Sequence, residues 1–290
     1  MIFLTGAAGK TGRAILKSLK KYGAEVKPLV RSEQQAEEIR SVGNFQSILG
    51  DLRHPESFES QLGTIDTFYY ICPNVSPDEL TIGKELIRIA KKSKVRHFVY
   101  HSVLHPQIEA MPHHWLKMRM EEALFESGLD FTILQPCAYM QNILGGWNSI
   151  KNGSYVTPYD ISSRLSIVDL DDIAEAAALV MTHPGHENAI YELTGPEPLS
   201  QIEVAQRLSQ AIGRAVAAVE QSREEWRQNA LKNGMVESQV IVLLKMFEYY
   251  DKNGLVGNPA TLRNLLGRTP TSFSQFLERI LNSGEVQANG

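Results

Sequence analysis

The amino-acid sequence predicts an α/β fold, a doubly wound parallel sheet with a smaller, mostly helical C-terminal region. Short β-rich apolar runs alternate with helical stretches through the first 140 residues, the pattern of a parallel sheet covered by helices. A glycine turn, Gly6-Ala7-Ala8-Gly9-Lys10-Thr11-Gly12, joins the first run to the first helical stretch. After Pro136 the rhythm changes to longer polar segments, helices and isolated strands, too few for a second full sheet.

In chain order, Met1–Thr5 reads as a strand and Lys10–Tyr22 as the helix that follows the glycine turn. Glu25–Val30 and Phe45–Leu49 read as strands on either side of a helix at Ser32–Val42. Pro55–Gln61 reads as a short helix, Thr67–Cys72 as a strand and Asp78–Lys92 as a helix. A strand at His97–Ser102, a helix at His113–Ser127 and a strand at Phe131–Gln135 complete the alternation. Several of the helices have Gly or a charged residue near their ends, where helices terminate. Each crossover should be right-handed, leaving a ligand crevice beyond the carboxyl ends of the strands.

Beyond this, Arg164–Val168 and Ala189–Leu193 read as isolated strands, and Asp171–Met181 and Gln201–Ile212 as helices. Arg223–Tyr250 reads as one helical region, Phe273–Leu281 as a closing helix and Gln287–Gly290 as a frayed tail. The expected division is a nucleotide-binding domain over residues 1–150 and a smaller substrate-binding or lid region over 151–290, interleaved with the first.

At 290 residues, 43% hydrophobic and 21% charged, the composition is that of an ordinary globular protein, not a disordered, collagen-like or disulfide-stapled one. A net charge of −4 gives no global reason to bind nucleic acid, so small-molecule chemistry is favoured. No apolar run approaches the about 18 residues of a membrane span. With two cysteines, Cys72 and Cys137, and no secretory pattern, reduced thiols in a cytoplasmic protein are expected. Both lie near predicted strand ends, where a redox-active thiol would face a cofactor, but a small buried hydrophobe is the commoner role.

The glycine turn carries the first functional expectation. Backbone N–H groups at the start of a helix, together with its positive dipole end, receive a pyrophosphate. Gly6 permits the tight turn, Gly9 lets the backbone approach phosphate and Gly12 lets helix and sheet pack closely. Thr5, Ala8, Lys10 and Thr11 share this loop. NAD-preferring folds place an acid at the end of the second strand, where this chain has Arg31-Ser32. Arg31, Ser32 and Lys10 suit a 2′-phosphate, so NADP(H) is preferred, with NAD(H) possible. Asp51-Leu52 after the third strand would flank the adenine, and Ile71, Cys72 and Pro73 after the fourth would border the cofactor.

His97, His101, His105, His113 and His114 crowd into 18 residues, but neither HExxH nor a cysteine-bearing zinc pattern accompanies them, and no metal is expected. Tyr139, Met140, Asn142 and Trp147 follow the last strand and would overhang the nicotinamide. Met246, Phe247, Tyr249 and Tyr250 lie on a helix that would form a far wall, although such spacing equally describes a helix packed on its own domain. The pocket would suit a flat apolar or aromatic molecule.

Motifs along most of the chain resemble the NmrA-like branch of the atypical short-chain dehydrogenase/reductase superfamily. They are the loop from Thr5 to Gly12, Ser127-Gly128-Leu129-Asp130-Phe131-Thr132-Ile133-Leu134-Gln135-Pro136 and Tyr139-Met140-Gln141-Asn142. Asp169-Leu170-Asp171-Asp172-Ile173-Ala174 and Tyr191-Glu192-Leu193-Thr194-Gly195-Pro196 extend the match. The resemblance implies a Rossmann-like NAD(P)-binding fold, with Pro136 and Tyr139 beside the cofactor. Its members include reductases of quinones, dyes and aromatic ethers as well as redox-sensing regulators. Reductases of the superfamily use Tyr-x-x-x-Lys, and here His113 and Lys117 occupy those two places. By resemblance Lys117 would hold the nicotinamide ribose, Ser102 would line the nicotinamide pocket and His113 would replace the phenol as proton donor. Imidazole, which titrates near neutrality, makes that exchange chemically workable.

Two functions are therefore expected: an NADPH-dependent oxidoreductase passing hydride to a quinone, enone or imine, or a non-catalytic NADP(H) sensor acting through a protein partner. The former takes a small aromatic or conjugated substrate. Neither binds nucleic acid directly or enters a membrane, and the chain would be a monomer or homodimer.

Overall fold

The computed structural model describes residues 1–284 and 286. The predicted alternation is present, with the first five strands trimmed at their ends and the sixth one residue longer at each end. β1 (Ile2–Leu4), α1 (Lys10–Lys21), β2 (Val26–Val30), α2 (Glu33–Val42) and β3 (Ile48–Leu49) come first. β4 (Thr67–Tyr70), α3 (Glu79–Lys92), β5 (His97–His101), α4 (Pro112–Phe125) and β6 (Asp130–Pro136) follow. The chain then makes β7 (Ala138–Tyr139), α5 (Trp147–Lys151), β8 (Ser154–Thr157) and β9 (Arg164–Val168). Next come α6 (Leu170–Thr182), β10 (Ala189–Leu193), β11 (Pro198–Ser200), α7 (Gln201–Ile212) and β12 (Ala217–Glu220). Last are α8 (Arg223–Lys232), α9 (Glu237–Asn253), α10 (Ala260–Leu266) and α11 (Phe273–Ser283). The tail expected at Gln287–Gly290 lies outside the described residues.

These elements form two compact units, each assembled from separate stretches of chain. The first takes Met1–Gln107, His113–Pro136 and Leu170–Glu192, and the second takes Ile108–Pro112, Cys137–Asp169 and the chain from Leu193 onwards. The division thus falls at several places instead of once near residue 150.

The first unit is built on a seven-stranded sheet in the order β10-β6-β5-β4-β1-β2-β3. From β3 to β6 the pairings are parallel. Its register aligns like with like: Phe3 sits opposite Phe68, and Phe68 opposite Phe98. Their rings meet at 4.8 and 5.2 Å, and Tyr70 stacks on Tyr100 at 5.5 Å, so aromatic pairs hold the sheet centre in register. The order reverses between β1 and β4, the switch point outside whose carboxyl ends ligands bind in such sheets.

Three expectations need correction. Pro55–Gln61 forms two short 3₁₀ turns, because Phe58 between them leaves helical geometry to bury its ring against Phe3 at 5.4 Å. Arg223–Tyr250 is not one helical run; it breaks after Asn233 at Gly234, which has φ +87°. Neither expected isolated strand is isolated: Arg164–Val168 is the middle strand of a three-stranded sheet, and Ala189–Leu193 is the outer strand beside β6, joined where the Asn188 N–H donates to the Phe131 carbonyl at 2.6 Å. Likewise α6 packs on α1 within this first unit.

The second unit has two small sheets, β11-β9-β7 and β12-β8. Capping boxes fix the starts of two of its helices: Ser200 with Glu203 on α7, and Ser272 with Gln275 on α11. Its core gathers Met140, Trp147, Leu208, Phe273, Phe276 and Ile280. Among the described residues no helix is long and apolar enough to cross a membrane.

Candidate functional site

A cavity of about 570 Å³ opens in the first unit beside the glycine turn. Gly6 is in the left-handed region at φ +63°, and a Cβ there would stand 2.4 Å from Ile71 Cγ2. At Gly12 a Cβ would meet the Gly6 carbonyl oxygen at 2.3 Å and Ala7 Cα at 2.7 Å, so α1 can reach the turn only with glycine. Gly9 differs: its added Cβ would have one protein neighbour within 4 Å, the Gly6 carbonyl oxygen at 3.3 Å. The fold itself asks little of Gly9, which also begins α1 without a side-chain cap. An open glycine and an uncapped helix start facing a cavity fit a phosphate group approaching the backbone.

Thr5 holds this turn to β4. Its hydroxyl donates to the Ile71 carbonyl at 3.0 Å and accepts from the Ile71 N–H at 2.9 Å, with the side chain fully buried. Gly6, Ala8, Gly9, Lys10, Thr11, Gly12, Arg31, Asp51, Leu52, Ile71, Cys72 and Pro73 all line the cavity. Thr5, Ser32, Lys117, Pro136 and Tyr139 do not. Ser32 instead caps α2, accepting from the Gln35 N–H at 3.3 Å.

The cavity carries more positive than negative charge. Lys10, Arg31 and Arg53 line it against the single carboxylate of Asp51. Among the described residues the Arg31 guanidinium has no ion-pair partner, while Arg53 reaches Asp78 at 3.6 Å. Arg53 escaped the sequence reading, although its place two residues past Asp51 was the available signal. Burial lowers the Lys10 ammonium from its ordinary value.

A second cluster in this unit surrounds Lys117. Its ammonium donates to Glu79 Oε1 at 2.6 Å, and the Tyr100 hydroxyl donates to the same oxygen at 2.6 Å. The Lys117 nitrogen also lies 5.5 Å from the centre of the Tyr100 ring. Glu79 enters from the first turn of α3, and the Tyr70 hydroxyl donates to its backbone carbonyl at 3.0 Å. No sequence pattern marks Glu79, because burial of a carboxylate depends on the strands packed over it. Burial pushes the neighbouring Cys72 thiol up to about 11 and the Tyr100 phenol well above its ordinary value, helped in each by the Glu79 charge.

Ser102 lies in a separate buried network, donating to Glu121, which also accepts from the Gln135 amide at 3.0 Å on each carboxylate oxygen. The His113 and His114 rings meet edge to face at 4.5 Å. Burial drives the His113 imidazole down to about 3, with His114 and Lys117 adding to the effect, and drives His114 down to about 4. Burial thus holds His113 below the near-neutral range of an ordinary imidazole, in its neutral form at pH 7. Its Nδ1 is buried and has no hydrogen-bond partner among the described residues.

The second unit has its own cavity of about 360 Å³, lined by Tyr139, Met140, Asn142 and Phe247 as well as Tyr155, Tyr159 and Trp226. Trp147 is absent from that lining and is buried in the core instead. Trp226 meets Phe247 edge to face at 4.8 Å, and Tyr159 lies 5.7 Å from Phe247. Sequence reading missed Tyr155, Tyr159 and Trp226, which come to Tyr139 from distant segments. Both cysteines are free and buried, and no three metal-ligating side chains gather among the described residues.

A model of the NmrA-like family matches residues 1–278. The NAD(P)H azoreductase of Xenophilus azovorans is 33% identical over 279 residues, 95% of this chain and 96% of that protein. The NADPH-dependent quinone oxidoreductase of Escherichia coli, solved with NADPH, superposes with a TM-score of 0.85 at 22% identity, over 97% of this chain and 100% of that one. NmrA, a negative transcriptional regulator solved with NADP, gives 0.82 at 19% identity over 100% and 97% of the two chains.

Proposed function

The chain belongs to the NmrA-like family, and from that premise we propose that it is an NADPH-dependent oxidoreductase acting on a small conjugated or aromatic acceptor, a quinone or azo compound. The observation that carries this reading is the cavity at the switch point, where an open Gly9, an uncapped helix start and three cations meet. The azoreductase likeness over nearly the whole chain supports the acceptor class.

In this reading the backbone from Gly6 to Gly12 holds the pyrophosphate, Arg31 and Lys10 hold the 2′-phosphate, and Asp51 and Leu52 border the adenine. NADPH, once bound, supplies a hydride, and with one proton from water a quinone becomes a hydroquinone and NADP+ remains. Lys117 holds the nicotinamide ribose, oriented by Glu79 at 2.6 Å. Ser102 is kept in place by Glu121. The neutral His113 donates at most a hydrogen bond, so the acceptor must be one whose reduced form spreads its negative charge and takes its proton from solvent. This favours quinones over simple ketones.

The experiment is calorimetric titration with NADPH, NADP+, NADH and NAD+, followed by NADPH oxidation with quinone and azo acceptors. Arg31→Ala should weaken NADPH about ten- to a hundredfold, the worth of one charge-assisted phosphate contact, and leave NADH unchanged. Equal loss for both cofactors would remove the role given to Arg31. No turnover with any acceptor would favour a non-catalytic NADP(H) sensor acting through a protein partner, a reading that His113 in place of the superfamily's tyrosine also supports.

A further inference from the structure

We infer that the cavity of the second unit selects neutral aromatic molecules and rejects those bearing a sulfonate, carboxylate or fixed cation; that its occupant is the hydride acceptor rests on the oxidoreductase reading above. None of its lining residues is Lys, Arg, His, Asp or Glu. Its tyrosines add no charge, since burial pushes Tyr155 up to about 12 and Tyr159 well above its ordinary value.

Three of the polar side chains at the wall are already engaged. The Tyr155 hydroxyl donates to Gln201 Oε1 at 3.0 Å, the Gln201 amide donates to the Ser163 carbonyl at 3.4 Å, and the Thr157 hydroxyl donates to the Tyr159 carbonyl at 3.1 Å. The arginines of this unit that make ion pairs are matched to its own acids: Arg223 to Asp251, Arg207 to Glu197, Arg164 to Glu203, Arg227 to Glu224 and Glu237, and Arg279 to Asp169. An ionic ligand would shed its hydration shell and find neither counter-charge nor a fork of donors. A flat neutral ring system would meet Trp226, Tyr159 and Phe247 instead, in a space at the small end of ligand pockets.

The test uses 4-(dimethylamino)azobenzene against its 4′-sulfonate, and the methyl ester of methyl red against the free acid. Binding is followed by quenching of tryptophan fluorescence, assigned by loss of the signal in Trp226→Phe, and turnover by NADPH oxidation. The neutral member of each pair should bind about a hundredfold more tightly than its charged partner. Val156→Lys, at a half-exposed lining position on β8, should recover about tenfold for the sulfonate. Equal binding within each pair, or no binding of the neutral dye, overturns the inference. Selective binding of the neutral dye without NADPH oxidation, with quinones also left unreduced, upholds the inference and instead removes the oxidoreductase reading.

Discussion

Deleting the Glu79 carboxylate should cost this fold more than any surface ion pair. The Glu79 side chain is 3% exposed and that of Lys117 14%, so water screens their contact at 2.6 Å weakly. The Tyr100 hydroxyl converges on the same oxygen, so Glu79→Ala strands an ammonium and a phenol together. Breaking a buried pair by removing one partner costs about 3–5 kcal/mol. At about 2–4 °C per kcal/mol for a unit of this size, the melting temperature should fall by roughly 10 °C. Glu79→Gln keeps an acceptor oxygen and should sit at the low end of that range. Lys117→Met should cost a similar amount, because it leaves the carboxylate unpaired. In the double variant Glu79→Gln/Lys117→Met neither charge is left alone, and about 2–3 kcal/mol should return as coupling. Tyr100→Phe serves as control, removing one hydrogen bond to a charged group for about 1.5–3 kcal/mol. Urea unfolding of the five variants measures the cycle and its control. Single losses below about 1 kcal/mol that simply add would refute the argument, since that is how a solvent-screened surface pair behaves.

Acid should unfold the protein early. Burial holds His101 and His113 at about 3 and His114 at about 4, below the about 6.5 of imidazole in an unfolded chain. The unfolded chain binds more protons between those values, so stability is complete above about pH 6.5 and lost as pH falls toward 4. At pH 5 each histidine should remove about 2 kcal/mol, and His113→Asn should flatten the urea midpoint between pH 7.5 and 5 by about a third. Burial raises Glu121, which acts with the opposite sign and loses stability as pH rises, so Glu121→Gln should steepen the acid loss. The two glycines of the nucleotide turn should separate fold from binding. Gly12→Ala drives a Cβ into backbone and should destabilise the protein by about 1–3 kcal/mol, whereas Gly9→Ala should unfold like the parent and still lose dinucleotide affinity in calorimetry. Parental affinity in Gly9→Ala would mean that the cofactor does not approach that backbone.

The six strands from Ile2 to Pro136 were legible because each is a short apolar run between polar or glycine-bearing stretches, and the wound order follows from such alternation. The glycine turn was legible too, since its spacing carries steric meaning that the structure makes explicit at Gly6 and Gly12. Partnership between distant segments was not. Ile190 is exposed and Leu193 buried, a pattern that describes any edge strand and does not name β6 as its neighbour. Glu79 looks like an ordinary acid in a helix's first turn until Tyr70 and Tyr100 cover it. The charge state of His113 is likewise set by burial, which spacing to Lys117 cannot express. Trp147 was expected at a ligand wall on its position alone, yet its bulk is used to fill the core beside Phe273 and Phe276.

The interleaved course of the chain also governs how the protein can be taken apart. A fragment ending at residue 150 would carry the glycine turn and six of the seven strands of the large sheet yet lack α6, which covers α1, and β10, which shields the edge of β6. Its open strand edge would invite aggregation, so such a piece should be insoluble when expressed alone. Adding Leu170–Glu192 from a second polypeptide should rescue it. Exchanging the second unit between relatives by recombination therefore requires replacing Ile108–Pro112, Cys137–Asp169 and the chain from Leu193 onwards together, since a single crossover would mix the two units.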